Sequence, residues 1–172
     1  MKFVKGVNPK PYLVYSIIAA LLYNVPLIFF INRADFSDAW LLYLGNFLFM
    51  LMVGWFLMTF NFKRDENAGT LVMFTASSIT TVIGAIFAVL VSLFLILVLV
   101  PGIFQPGLAD KVLVNEPAQS VDGKTNGLVF MVLVNAVFGN VFCGMFVSII
   151  FPFALKGDQT REKVPRKKQA EL

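Results

Sequence analysis

TTVIGAIFAVLVSLFLILVLV, Thr80 to Val100, decides the fold, because it carries no charge from end to end. A helix needs about 20 such residues to cross a hydrocarbon core roughly 30 Å thick. Within it Thr80, Gly84, Ala88 and Ser92 recur at steps of four, with Ala76 one step before, and Leu, Ile, Phe and Val fill the remaining positions. Lipid is as apolar as the helix, so helices associate by close backbone approach rather than by hydrophobicity, and small residues mark the contact. Thr80, Gly84, Ala88 and Ser92 are therefore expected to form a helix-packing seam.

The rest of the chain agrees with a lipid setting. Of its 172 residues 58% are hydrophobic, 19 are Phe and only 14% are charged, whereas charged residues make up about a quarter of a soluble protein. Charge-free stretches run over 11–32, 39–62, 67–109 and 125–155. These predict spans at about 12–31, 40–60, 80–100 and 128–151, an all-α integral membrane protein in which four transmembrane helices form an antiparallel bundle. The first apolar run is too long for a signal peptide and lacks a small-residue cleavage site, so it is read as a retained span.

Four spans place the basic residues of the N-terminus (Lys2, Lys5, Lys10), the second connection (Lys63, Arg64) and the tail (Lys156, Arg161, Lys163, Arg166, Lys167, Lys168) on one side. Only Arg33, Lys111 and Lys124 fall on the other. By the positive-inside rule both termini are cytoplasmic. Splitting the third stretch into two spans would move the tail cations outside, and no strong turn signal interrupts Leu71 to Val100. Residues 67–79 either extend span three or lie at the interface.

Asp35 or Ser37 is placed to cap the second helix. The outer loop, 101–127, holds Pro-Gly twice, Asp-Gly and Asn-Gly, all turn formers, and its ADKVLV segment forms a helical turn or a short strand. Residues 1–155 thus make one membrane domain. The basic tail, 156–172, is expected to be disordered, and its Arg166, Lys167 and Lys168 could touch anionic lipid headgroups.

Span four contains NAVFGNVFCGMF, Asn135 to Phe146. At about 100° per residue, Asn135, Ala136, Gly139, Asn140, Cys143 and Gly144 share one half of the helix, and Val and Phe residues fill the other. Ala136, Gly139, Cys143 and Gly144 join the predicted seam. An unpaired amide is costly in hydrocarbon, so Asn135 and Asn140 require partners. Span one offers Ser16, Ala20 and Asn24 on one face, and Pro26 frees the Leu22 carbonyl near mid-membrane. Asn46 adds a fourth amide. Asn24, Pro26, Asn46, Asn135 and Asn140 are the candidate intramembrane polar contacts.

Several function classes are excluded. The chain has no histidine and a single cysteine, which removes Ser-His-Asp catalysis, histidine haem ligation and clustered zinc ligands. No Asp, Glu, Lys or Arg lies within a span, and such residues mark proton relays and ion paths. The small four-span multidrug exporters depend on a membrane-embedded Glu in span one, which this chain lacks.

The short basic loop FKRDENAG, the Pro-bearing outer loop and a glycine-rich last span running into lysine (GNVFCGMFVSIIFPFALKG) are similar to those of small four-span membrane proteins of unknown function from Bacteroidetes-type bacteria. That resemblance implies no activity, cofactor or catalytic residue. The expectation is a non-enzymatic accessory or assembly component of a bacterial inner membrane that packs through its small-residue faces. Its expected partners are membrane lipids and a second copy or another membrane protein, with no nucleic acid, metal or cofactor. The alternative is permeation of a small neutral or lipidic solute past the amides.

Overall fold

The computed structural model describes residues 9–63, 69–103, 113–115 and 127–162, with side chains up to residue 60 in the second helix and residue 155 in the last. Four helical segments are long and apolar enough to cross a membrane. They are α1 (Lys10–Arg33), α2 (Trp40–Lys63), α3 (Thr70–Leu99), and a fourth made of α4 (Gly127–Val134), a π-helical turn (Asn135–Gly139) and α5 (Asn140–Glu162). The last three together are called span four below.

Cross-helix contacts fix the arrangement. Ser16 meets Thr80 and Asn24 meets Ser92, so α1 and α3 run parallel side by side. Gly45 packs on Tyr23, and Tyr12 stacks on Phe56, so α1 and α2 are antiparallel. Gly54 lies on Phe151 and Asn46 on Gly139, which makes α2 parallel to span four, while Leu90 and Val137 line one groove and Leu71 and Ile149 another, so α3 is antiparallel to it. The helices therefore form a ring in the order α1, α2, span four, α3. Helix α1 and span four sit at opposite corners, with α2 and α3 touching across the short diagonal. Consecutive spans are antiparallel as expected, but two of the four neighbouring pairs are parallel.

Residues 70–79 continue α3 rather than lying apart from it, so the helix starts ten residues before the expected span. Most of the polar look of TASSIT is absorbed by the helix itself, the Ser78 hydroxyl excepted. Thr75, Ser77 and Thr80 donate to the carbonyls of Leu71, Met73 and Ala76 one turn back, which satisfies each hydroxyl without water.

Helix α1 begins at Lys10 with Pro11 in its first turn, where a missing N–H costs nothing. Pro26 lies inside without ending it. It stops at Ala34, which takes a left-handed conformation (φ 48°) and donates to the Phe30 carbonyl. Asp35 then caps the short 3-10 turn Phe36–Asp38 through the Ser37 N–H, 2.9 Å away, and so leads into α2.

The only described part of ADKVLV, Leu113 and Val114, reaches this turn. Val114 forms an isolated parallel bridge with Asp35, donating to the Ala34 carbonyl at 2.8 Å and accepting from the Phe36 N–H at 2.9 Å. Asn115 donates to both Asp35 carboxylate oxygens, at 3.1 and 3.2 Å. At the opposite end Tyr12, Tyr15, Phe56 and Phe60 form an aromatic cluster with centroids 5.3–6.3 Å apart. Such pairs contribute about 0.5–1.5 kcal/mol each beyond simple burial.

Candidate functional site: the intramembrane amides and the π turn

The small-residue row of α3 packs against helices of the same chain. Thr80, Gly84, Ala88 and Ser92 are buried, and Thr80, Gly84 and Ser92 meet α1. Gly84 faces the Phe49 ring and the Ser16 carbonyl, close enough that a Cβ there would press on both. Ser16 Oγ donates to the Thr80 carbonyl at 2.8 Å. About two turns before the expected outer ends of the helices, Ser92 Oγ shares its single proton between Asn24 Oδ1 at 3.0 Å and its own Ala88 carbonyl at 2.7 Å. Asn24 Nδ2 in turn donates to Ala20 O at 2.7 Å, so this amide is satisfied at both ends.

Span four departs from a straight helix where its polar residues cluster. Residues Asn135–Gly139 form the π turn, a widened turn of a type that recurs at functional positions. The Asn140 N–H donates to Val137 O rather than to the carbonyl four residues back, Ala136 O. Asn140 Nδ2 donates to that Ala136 carbonyl at 3.0 Å. Asn140 is fully buried and its Oδ1 has no protein partner.

Asn135 is partnered by α2, not by α1. Asn46 Nδ2 donates to Asn135 Oδ1 at 2.7 Å. The expectation that span one supplies the partner is thus corrected, and the reason is topological: α1 lies diagonally across the ring from span four. Gly139 makes the pairing possible. A Cβ at Gly139 would lie only 2.8 Å from both Cγ and Oδ1 of Asn46, so the amide rests directly on the bare backbone. The Asn46 Oδ1 is buried and has no protein partner.

One turn beyond Asn140, Gly144 receives Thr81 in the same manner, with Thr81 Cβ 3.0 Å from where a Cβ would stand. Ser148, buried one further turn along, donates back to Gly144 O at 2.7 Å. Among the predicted seam residues Ala136 and Gly144 are buried, whereas Gly139 and Cys143 are half-buried. Cys143 lies at the margin of the seam, because the inward row is Leu128, Val132, Ala136, Asn140, Gly144 and Ser148.

Thr81 was not among the predicted contacts. Its signal was present in a second small-residue row, Ser77, Thr81 and Ala85, one step round α3 from the first. Gly45 and Gly54 fall on different faces of α2 and make no common seam, because they serve different neighbours, α1 and span four. Pro26 is buried in α1 and makes no described contact with the amides of span four. Arg166, Lys167 and Lys168 lie outside the described residues.

The crease between α3 and span four opens toward the surroundings as two apolar grooves. One of about 320 Å³ runs between Val82, Ile86 and Leu90 of α3 and Val137 and Val141 of span four. The other, about 410 Å³, lies between Leu71 and Phe74 and Ile149 and Phe153. Among the described residues no three His, Cys, Asp or Glu side chains come together as a metal site.

Outside the spans, Asp35 is held below the ordinary carboxylate range by the Ser37 hydroxyl, then by the Ser37 N–H, then by the Asn115 amide. Arg33 pairs with Asp38 at 3.1 Å on the exposed surface, a contact of about 0–1 kcal/mol. No known protein family, curated protein or solved structure matches the chain.

Proposed function

We propose that the chain is a non-enzymatic, multi-pass component of a bacterial inner membrane, with both termini cytoplasmic, that assembles with a second copy or another membrane protein. The observation that carries this reading is the asymmetry of the bundle. Half of the apolar window of α1 and of α2 is buried, against 28% in α3 and in span four. The small-residue rows are occupied by neighbouring helices of the same chain, so a partner meets bulk instead. Phe138, Phe142 and Phe146 recur at steps of four on span four, each more than half exposed.

Native mass spectrometry of gently extracted protein tests the proposal. A complex is expected for the wild type, and its loss is expected in a Phe138→Ala, Phe142→Ala, Phe146→Ala variant that keeps its helical circular dichroism. A wild type that is monomeric and partnerless, or a complex that survives the triple substitution, refutes it.

The second reading is permeation of a small neutral or lipidic solute. The paired amides Asn46 and Asn135 at the π turn favour it, since neutral hydrogen-bonding groups are what a neutral solute would exchange for water. Flux of glycerol or urea into proteoliposomes that falls on Asn46→Ala, with assembly intact, would select this reading over the first.

A further inference from the structure

We propose that the inward face of span four, from the π turn to Gly144, binds water molecules that donate hydrogen bonds to the Asn46, Asn140 and Thr81 oxygens. Three helices bring these groups to successive levels of one surface. Asn46 of α2 lies on Gly139, Asn140 follows in the chain, and Thr81 of α3 lies on Gly144 one turn later. Asn46 is 4% exposed, and Asn140 and Thr81 are 0% exposed. Each presents a buried oxygen with no protein partner: Asn46 Oδ1, Asn140 Oδ1 and Thr81 Oγ1.

Thr81 and Ser78 are the exceptions within α3, and of the two only Thr81 is a fully buried residue. Thr75, Ser77, Thr80 and Ser92 all satisfy their hydroxyls on a preceding carbonyl, as hydroxyls in apolar helices usually do. Thr81 has no such bond, although the carbonyl of Ser77 is one turn away. Asn46 and Asn140 have each placed one of their two Nδ2 protons, on Asn135 Oδ1 and Ala136 O, whereas neither Oδ1 has any partner, so the unmet need at each is for a donor to that oxygen. The matching guest is a hydrogen-bond donor.

Its charge follows from the surroundings. Residues 12–31, 40–60, 80–100 and 128–151 hold no Asp or Glu to compensate a cation, and an unpaired ion is far more costly to bury than a neutral molecule. A neutral donor small enough to sit among packed helices is water, which typically makes two to four bonds to otherwise unsatisfied groups. This inference is independent of the assembly reading above, which stands or falls on the opposite, outward face.

Two measurements decide it. In wild-type protein in perdeuterated micelles, cross-relaxation from water to the side-chain amide protons of Asn46 and Asn140 is expected, since water on either Oδ1 lies within reach of the adjacent Nδ2 protons. Its absence at both residues overturns the proposal. Separately, Thr81→Val keeps the shape and removes the oxygen. If the hydroxyl holds water, the unfolding midpoint falls by at least about 2 °C. A midpoint that is unchanged or raised means a dry, unpaired hydroxyl has been removed, and that also overturns the proposal.

Discussion

Gly139→Ala puts one methyl where the Asn46 amide now rests. The new Cβ would be 2.8 Å from Asn46 Cγ and Oδ1, short of an ordinary carbon contact by roughly 0.7–1.2 Å. Rotating the amide about its own axis does not help, because Cγ itself is too close. The whole group must withdraw, and the 2.7 Å bond to Asn135 is lost with it. Overpacking costs about 1–3 kcal/mol and a broken buried hydrogen bond about 1–3 kcal/mol. Alanine's better helix propensity returns about 1 kcal/mol.

The net loss is about 1–5 kcal/mol. The assay is reversible unfolding in mild detergent, followed in a double-mutant cycle with Asn46→Ala. In that background the clash is absent and Gly139→Ala should be neutral or stabilising by up to about 1 kcal/mol. Equal destabilisation in both backgrounds, or stabilisation of the wild type, would refute the account of how α2 meets span four.

Gly144→Ala should likewise destabilise by about 1–3 kcal/mol, since Thr81 is β-branched and cannot swing clear, and Thr81→Ala should relieve most of the cost in the same unfolding assay. Ser92→Ala removes the hydroxyl that Asn24 Oδ1 accepts from, so a loss of about 1–2 kcal/mol is expected, and no loss would mean the α1–α3 bond is not formed. Asp35 has a depressed carboxyl pKa in the folded state, so its contribution is present above the unfolded value and is lost as pH falls through the folded one. Amide exchange at Val114 and Phe36 should accelerate across that acidic window in the wild type, whereas in Asp35→Asn it should be fast already at neutral pH.

The spans were legible because long charge-free runs leave little choice of solvent, and the α3 seam because a step-of-four row of small residues survives in the sequence whichever helix it faces. Its partner was not legible. Ser16 and Asn24 on α1 were visible as a polar face, but only the ring order sends them to Thr80 and Ser92 rather than to Asn135. The sequence leaves the start of α3 open between helix and interface because hydroxyls count as polar there and become neutral once bonded to their own helix.

The π turn had no signature of its own. Projecting span four at 100° per residue assumes an unbroken helix, so that projection gave Cys143 the same standing as Gly144. The structure buries one and leaves the other half-exposed. Which amide meets which is a matter of helix register across the ring, and local periodicity carries no information about it.

The ring order also has a meaning for how the protein is made. The principal contacts of α1 are with α2 and α3, both synthesised before span four, so three helices can settle their mutual seams while the fourth is still in the ribosome. Span four then docks mainly against α2 and α3, at the end of a 27-residue connection, 100–126, whose sequence holds no apolar run long enough to cross a membrane. A chain organised in this way can receive its last helix from a neighbour as readily as from itself. Exchange of span four between copies is the form of domain swapping to which this topology is open.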